Sequence, residues 1–391
     1  SYMSNYPKVI LKSGKEQSLL RFHPWVFSGA IETSTESLKD GDLVCLMTRK
    51  DQFLGIGHFQ HATIAVRVLT FEDRPTDDKF FIERISNAVQ LRKNLQLLTD
   101  DNTICRLVHG EGDSLPGLII DYYDKNWVIQ AHSSGIYLQL EQIAEAIKTN
   151  FSEHCEIIYC KSSGTLPNTG TDYFLFGNKA ETVAKENNIL FSVNWVEGQK
   201  TGFFLDQREN RKLLGEFSKG KKVLNTFCYT GGFSIYAMNA GAELVTSVDI
   251  SQKAVDLAAS NMELNFPKAN HKAVADDVFN FMKEHTQQYD VIVLDPPAFA
   301  KSIKSKHTAT QAYKRLNIAG LKALAPNGIL FTFSCSQVID DVLFYNTVAA
   351  AAIETGRNIR VLHKLEQGPD HPTNIYHPEG HYLKGLVLFV E

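Results

Sequence analysis

The segment "KVLNTFCYTGGFSIYAMNAG", residues 222–241, decides the fold. An apolar run with β-branched residues ends in a turn with paired glycines, and a stretch of helical spacing follows. The same unit then recurs. "LVTSVDIS" (244–251) leads into "QKAVDLAASNMELN" (252–265), and "HKAVADD" (271–277), "YDVIVLDPP" (289–297) and "GILFTFSCS" (328–336) each open onto a helical stretch. Strict alternation of strand and helix predicts an α/β fold, a Rossmann-like doubly wound sheet with ligands at the carboxyl ends of its strands. "RNIRVLHKL" (357–365) and "KGLVLFVE" (384–391) predict two closing strands with no helix between them.

Upstream of that domain, "DLVCLMTR" (42–49), "FLGIGHFQ" (53–60) and "IAVRVLTF" (64–71) predict the short strands of a small β-barrel over residues 1–72. The charged, proline-containing "EDRPTDDK" (72–79) reads as a linker, and "FFIERISNAVQLRKNLQLL" (80–98) has the spacing of a helix. "CRLVHGEGDSLPGLIIDYYDKNWVIQAHS" (105–133) adds strands, and a helix is expected around Ile136–Thr149. The expected division is therefore a β-barrel (1–72), a central α+β domain (73–190) and the doubly wound domain (191–391).

With 43% hydrophobic and 21% charged residues the composition is that of a soluble globular protein. No apolar run approaches the ~18 residues of a membrane span, and the opening segment lacks the apolar core of a signal peptide. A cytoplasmic protein is expected, with no membrane partner. Six cysteines without a CxxC pair point to free thiols. His377 and His381 stand four apart, but Pro378 and Gly380 break the helix a metal site would need. No metal is expected. A formal net charge of −4 gives no general case for nucleic-acid binding, so any such role rests on local patches. Residues 1–70 carry eight Lys and Arg against six Asp and Glu, with Lys8, Lys12, Lys15, Arg21 and His23 grouped together.

The first strand opens into Gly231 and Gly232, and about 20 residues on the second ends at Asp249, placed to accept ribose hydroxyls. The spacing is not GxGxxG, which disfavours a pyrophosphate cradle and favours S-adenosylmethionine. Asp277 after the third strand is the candidate for the adenine amino group, ahead of Asp276. In "DVIVLDPPAFAKS" two prolines, Pro296 and Pro297, fix the backbone beside Asp295, with Phe299 available to stack on a base. An acid so placed could grip an exocyclic nitrogen in amino-group methylation or the edge of a pyrimidine in ring-carbon methylation. Cys335 ends the fifth strand. C5 of cytosine is a poor nucleophile, so its methylation needs a thiolate to add at C6, and Cys335 can supply it. Asp295 could assist at N3 as a neutral acid, and the base that removes the C5 proton is not identifiable. Cys228 lies in the cofactor loop and reads as packing.

With these motifs in hand, the chain resembles the PUA-linked large-subunit ribosomal RNA cytosine-C5 methyltransferases. "LKSGKEQSLLRFHPWVFSGAI" (11–31) is similar to the PUA module of that family, "VHGEGDSLPGLIIDYY" (108–123) to the opening of its central domain, and "EGQKTGFFLDQRENR" (197–211) to the segment that encloses the cofactor. The resemblance implies S-adenosyl-L-methionine contacts from Gln199, Lys200, Thr201, Phe227, Tyr229, Gly231, Asp249, Asp277, Asp295 and Pro296, with Cys335 and Asp295 catalytic. It implies substrate contacts from Phe299, Arg208, Lys12 and Arg21, ribosomal RNA as the partner, and a homodimer. Ala298 stands where the family usually has lysine, and "DPPAFA" carries no second cysteine. "GPDHPTNIYHPEGHYLKG" (368–385) reads either as a loop facing the substrate or as a surface crossover. Two other functions remain open: an RNA guanine-N2 methyltransferase that uses Asp295 alone, and a non-catalytic RNA-binding assembly factor.

Overall fold

The structure is a computed structural model that describes residues 5–299 and 302–391. The chain divides into two compact units. Ser1–Asn188, Ser192–Leu205 and Pro369–Gly380 make the first; Ile189–Phe191, Asp206–Gly368 and His381–Glu391 make the second. The expected barrel and central module thus share one unit.

In the first unit a six-stranded sheet runs, in spatial order, Trp25–Phe27, Ile64–Thr70, Phe53–Phe59, Leu43–Met47, Lys8–Leu11 and Ile31–Ser34. Val9, Leu11, Val44, Leu46 and Val66 form its core. Gly57 is obligatory here, because a Cβ would lie 2.2 Å from the Arg67 carbonyl oxygen. The helix Asp78–Asn94 begins where the Asp77 carboxylate accepts the Phe80 N–H at 3.1 Å. It packs Phe80, Phe81, Ile85 and Val89 into a core shared with a five-stranded sheet, ordered Asp172–Phe176, Ile157–Lys161, Asn126–Ala131, Leu118–Tyr123 and Ile104–His109.

Buried charge ties a distant segment into this unit. Arg92, 0% exposed, makes a bidentate pair with Asp113 at 2.6 and 2.7 Å and donates to the Asp370 carbonyl at 2.9 Å. The Arg106 N–H donates to the Asp370 carboxylate at 3.1 Å. Asp370 and His371 are both buried, so the first part of the 368–385 stretch is a structural anchor rather than a surface crossover. Only beyond it do Ile375 and Tyr376 emerge, 86% and 50% exposed.

The second unit carries the doubly wound sheet. Its strands are β1 (Lys222–Thr226), β2 (Leu244–Asp249), β3 (His271–Ala275), β4 (Tyr289–Leu294), β5 (Leu324–Ser334), β6 (Ile359–Leu365) and β7 (Lys384–Val390). Its helices are α1 (Arg208–Glu216), α2 (Gly232–Asn239), α3 (Gln252–Asn265), α4 (Val278–Glu284), α5 (Lys306–Ala323) and α6 (Asp341–Thr355). The strand order is β3-β2-β1-β4-β5-β7-β6. Strands β1 to β5 are parallel, and β7 slots between β5 and β6 antiparallel to both. Helices cover both faces, which is why the second half of β4 reads as the unbroken apolar run VIVL and β1 is buried from Val223 onward. The winding reverses between β1 and β4, so their carboxyl ends frame the crevice where such sheets hold ligands. Among the described residues, no helix is long and apolar enough to cross a membrane.

Candidate active site

The crevice begins with an unusual turn. After β1, Phe227 and Tyr229 hold φ of +51° and +44°, and Gly231 holds +83°. Left-handed backbone at two bulky residues costs roughly 1–2 kcal/mol each, so the surroundings must enforce it. They do so through β2: the Cys228 N–H donates to the Val248 carbonyl at 3.1 Å, and the Tyr229 N–H donates to the Asp249 carboxylate at 3.2 Å. Asp249 also takes the Ser251 N–H at 3.0 Å. Beside it Ile250 is 74% exposed, an apolar platform that no motif in the sequence marks. At Gly231 a Cβ would sit 2.9 Å from Ala258 Cβ on α3. Gly231→Ala is therefore expected to cost about 2 kcal/mol and to lower the melting temperature by roughly 4–8 °C. A thermal melt identical to that of the parent chain would refute this account of the turn.

Asp277 caps α4, its Oδ1 accepting the Asn280 N–H at 3.0 Å, while Asp276 accepts the Asp277 N–H at 2.8 Å. Asp277 thus follows β3 and serves as the N-cap of α4. Past β4, Asp295 is half-buried and Pro296 is buried. Phe299 packs against Tyr313 with ring centroids 4.7 Å apart. It also lines a cavity of about 490 Å³ with Phe279, Ala312, Arg315 and Ile318.

Cys335 follows β5 directly. Its Sγ lies 4.0 Å from the Pro296 carbonyl oxygen, so the fifth strand delivers the thiol to the Asp295-Pro296-Pro297 turn. Five of the six cysteines are buried; Cys335 alone is half-exposed. Cys228 is a poor rival, because burial, with the Asp249 charge behind it, pushes its thiol pKa far up.

The sequence-derived residues thus fall in two groups. Phe227, Tyr229, Gly231, Asp249, Asp277, Asp295, Pro296, Phe299 and Cys335 line the carboxyl edge of one sheet in the second unit. Arg208, in the first turn of α1, belongs to that unit and is 2% exposed. Gln199, Lys200, Thr201, Lys12 and Arg21 belong to the first unit. There Thr201 is buried and its hydroxyl is engaged with Asp121 and Tyr123, each at 2.6 Å, which leaves its backbone for any ligand. Gln199, Lys200, Lys12 and Arg21 are exposed.

One further cluster has ligand-like composition. The donor atoms of His23, His377 and Glu379 lie within 4.8 Å of one another. Yet the Trp25 N–H donates to His23 Nδ1 at 3.1 Å, so His23 Nε2 carries the ring proton and donates it to Glu379, also at 3.1 Å. A nitrogen holding its proton offers no lone pair to a cation. The cluster is a hydrogen-bonded one. His381 pairs with Asp341 at 3.0 Å.

Comparison with known proteins matches residues 136–386 to the S-adenosylmethionine-dependent methyltransferase family. The chain belongs to that family. Residues 9–71 match a PUA-like domain, which accounts for the six-stranded sheet. The ribosomal RNA large subunit methyltransferase I of Aeromonas hydrophila is 39% identical, over 97% of this chain and 98% of that protein. Its namesake from Pseudoalteromonas atlantica is also 39% identical, over 98% and 99%. Among solved structures, an S-adenosylmethionine-dependent methyltransferase from Streptococcus mutans aligns with a TM-score of 0.84 at 26% identity, covering 98% of this chain and all of that one. A second methyltransferase, solved in complex with SAH, aligns with a TM-score of 0.85 at 26% identity and the same coverage.

S-adenosylmethionine is the cofactor of this methyltransferase, and the crevice suits it. The left-handed turn lies at the end of β1, Asp249 offers carboxylate oxygens for a diol, and Ile250 offers an apolar face for a purine.

Proposed function

We propose that the protein methylates C5 of a cytosine in large-subunit ribosomal RNA, with Cys335 as the covalent nucleophile. The observation that carries this reading is the half-exposed Cys335 Sγ, 4.0 Å from the Pro296 carbonyl in the turn after β4. An amino-group methyltransferase has no use for a thiol there. The names of the two bacterial relatives support ribosomal RNA as substrate.

In this reading Asp249 holds the ribose of the cofactor, Asp277 its adenine, and the Phe227–Gly231 turn its methionine end. Bound there, the cofactor supplies an electrophilic methyl group on sulfonium. The target base, flipped from the RNA, stacks on Phe299. Cys335 Sγ, as thiolate, forms a bond to C6, and the electron pair displaced from the C5–C6 double bond makes C5 nucleophilic. Asp295 hydrogen-bonds the N3 edge and favours that addition. Once C5 carries the methyl group, loss of its proton re-forms the double bond and expels the thiolate.

The test is nucleoside mass spectrometry of large-subunit RNA incubated with the protein and S-adenosylmethionine. 5-Methylcytidine is the expected product; a methylated guanosine or adenosine overturns the assignment. Arg315, exposed at the rim of the cavity that Phe299 lines, provides a second check. If it meets a phosphate beside the flipped base, Arg315→Ala weakens RNA binding several-fold and reduces the salt slope of log K by about one. Unchanged affinity and slope would remove Arg315 from the RNA interface.

A further inference from the structure

Strand β7 inserts between β5 and β6, and its first residue is a lysine. Lys384 pairs in register with Ser334, the residue before Cys335, and its Nζ donates to the carbonyl of Ser336, the residue after it, at 2.6 Å. A second donation goes to the Tyr382 carbonyl. The side chain is 3% exposed. A protein that needed only those two backbone contacts could use a neutral donor, and it would avoid the desolvation cost of burying an ammonium. Two carbonyls accept from Lys384, whereas an ammonium has three N–H donors.

We infer that Lys384 is the positioning cation of the nucleophile: its ammonium stands beside Cys335 and holds the thiol as thiolate. The thiol proton passes to solvent, the ammonium stabilises the thiolate left behind, and expulsion of the thiolate at the end of the cycle restores the ion pair. This rests on Cys335 being the attacking thiol.

The charged groups facing Lys384 agree with that role. Asp340 and Asp341, at the start of α6, are both exposed, and Asp341 also pairs with His381. Water screens them, so they stabilise the ammonium without quenching it. Tyr313 on α5 shares a hydrogen bond with Ser336 Oγ, and burial raises its phenol pKa, which keeps it neutral. Asp295 follows β4 and precedes Pro296, whose carbonyl lies 4.0 Å from Cys335 Sγ. Burial lowers Lys384 to about 8, partly offset by Asp341, Cys335 and Asp340. Near pH 7 it therefore carries its proton.

The test is peptide-resolved alkylation of Cys335 by iodoacetamide as a function of pH, which needs no methyl transfer. Lys384→Gln keeps a buried N–H donor without charge; Lys384→Arg keeps the charge. In the parent chain the midpoint should lie below the ordinary thiol range. The Gln variant should raise it by at least about one unit and slow alkylation at pH 7 about tenfold, and the Arg variant should restore it. A midpoint that is the same in parent and Gln variant, with both folded by circular dichroism, overturns the pairing. Assaying 5-methylcytidine formation by the parent and by Cys335→Ala separates this from failure of the underlying reading. If only the parent forms product while the midpoint does not move, the nucleophile stands and the role of Lys384 falls; if Cys335→Ala remains active, the nucleophile assignment falls, and the proposed role with it.

Discussion

Replacing Cys335 with alanine is expected to abolish methyl transfer, by on the order of 10⁴-fold or more, while cofactor affinity stays within about twofold. The asymmetry follows from chemistry. Without a covalent bond at C6, C5 of cytosine has almost no nucleophilic character, and no neighbouring group can substitute for the thiol. Packing loss is small because Cys335 is only half-buried. Cys228→Ala is the matched control. That thiol is buried and its pKa is pushed up, so its removal should leave a substantial fraction of activity. Incorporation of labelled methyl into RNA, with calorimetric titration of S-adenosylhomocysteine in parallel, reads both quantities. Retained activity in Cys335→Ala would return the residue to a packing role and leave Asp295 to carry the chemistry.

The second large effect should come from Asp249. Its carboxylate accepts the Tyr229 and Ser251 N–H groups and so keeps the β1 loop in its left-handed form. In the proposed complex it also accepts from the cofactor ribose. Hydrogen bonds to a charged group contribute about 1.5–3 kcal/mol each, so Asp249→Ala should weaken cofactor binding by on the order of 100-fold. Relaxation of Tyr229 adds to the loss. A dissociation constant for S-adenosylhomocysteine that barely changes, in a variant with a normal thermal melt, would move the cofactor away from this loop.

Much of this architecture is written locally. Strand β2 ends at Asp249, β4 and the second half of β5 are apolar runs that lead into Asp295 and Cys335, and helices between carry their own caps, such as Ser251 and Asp340. Asp249, Asp295 and Cys335 each fall at a strand end, so the pattern that marks the strand also marks the residue. Lys384 illustrates what local pattern cannot convey. Read in "YLKGLVLFV" it is an ordinary polar lead-in to a strand, and its burial arises only because β7 inserts between β5 and β6. Asp370 is similar: its partners Arg92 and Arg106 lie more than 260 residues away in sequence. Ile250 and Arg315 escaped for the opposite reason, because nothing in their immediate neighbours distinguishes an exposed isoleucine from a core one or a cavity-rim arginine from a solvated one.

The central claim is a bond between Cys335 Sγ and C6 of the target base, and it can be trapped. In RNA carrying 5-fluorocytidine, addition and methyl transfer proceed, but C5 then bears fluorine in place of the proton whose loss expels the thiolate. Incubation with S-adenosylmethionine, followed by nuclease digestion and peptide mass spectrometry, should yield a methylated 5-fluorocytidine adduct on the Cys335 peptide. An adduct on another residue, or efficient 5-methylcytidine formation on normal RNA with no adduct on the fluorinated substrate, would contradict the account.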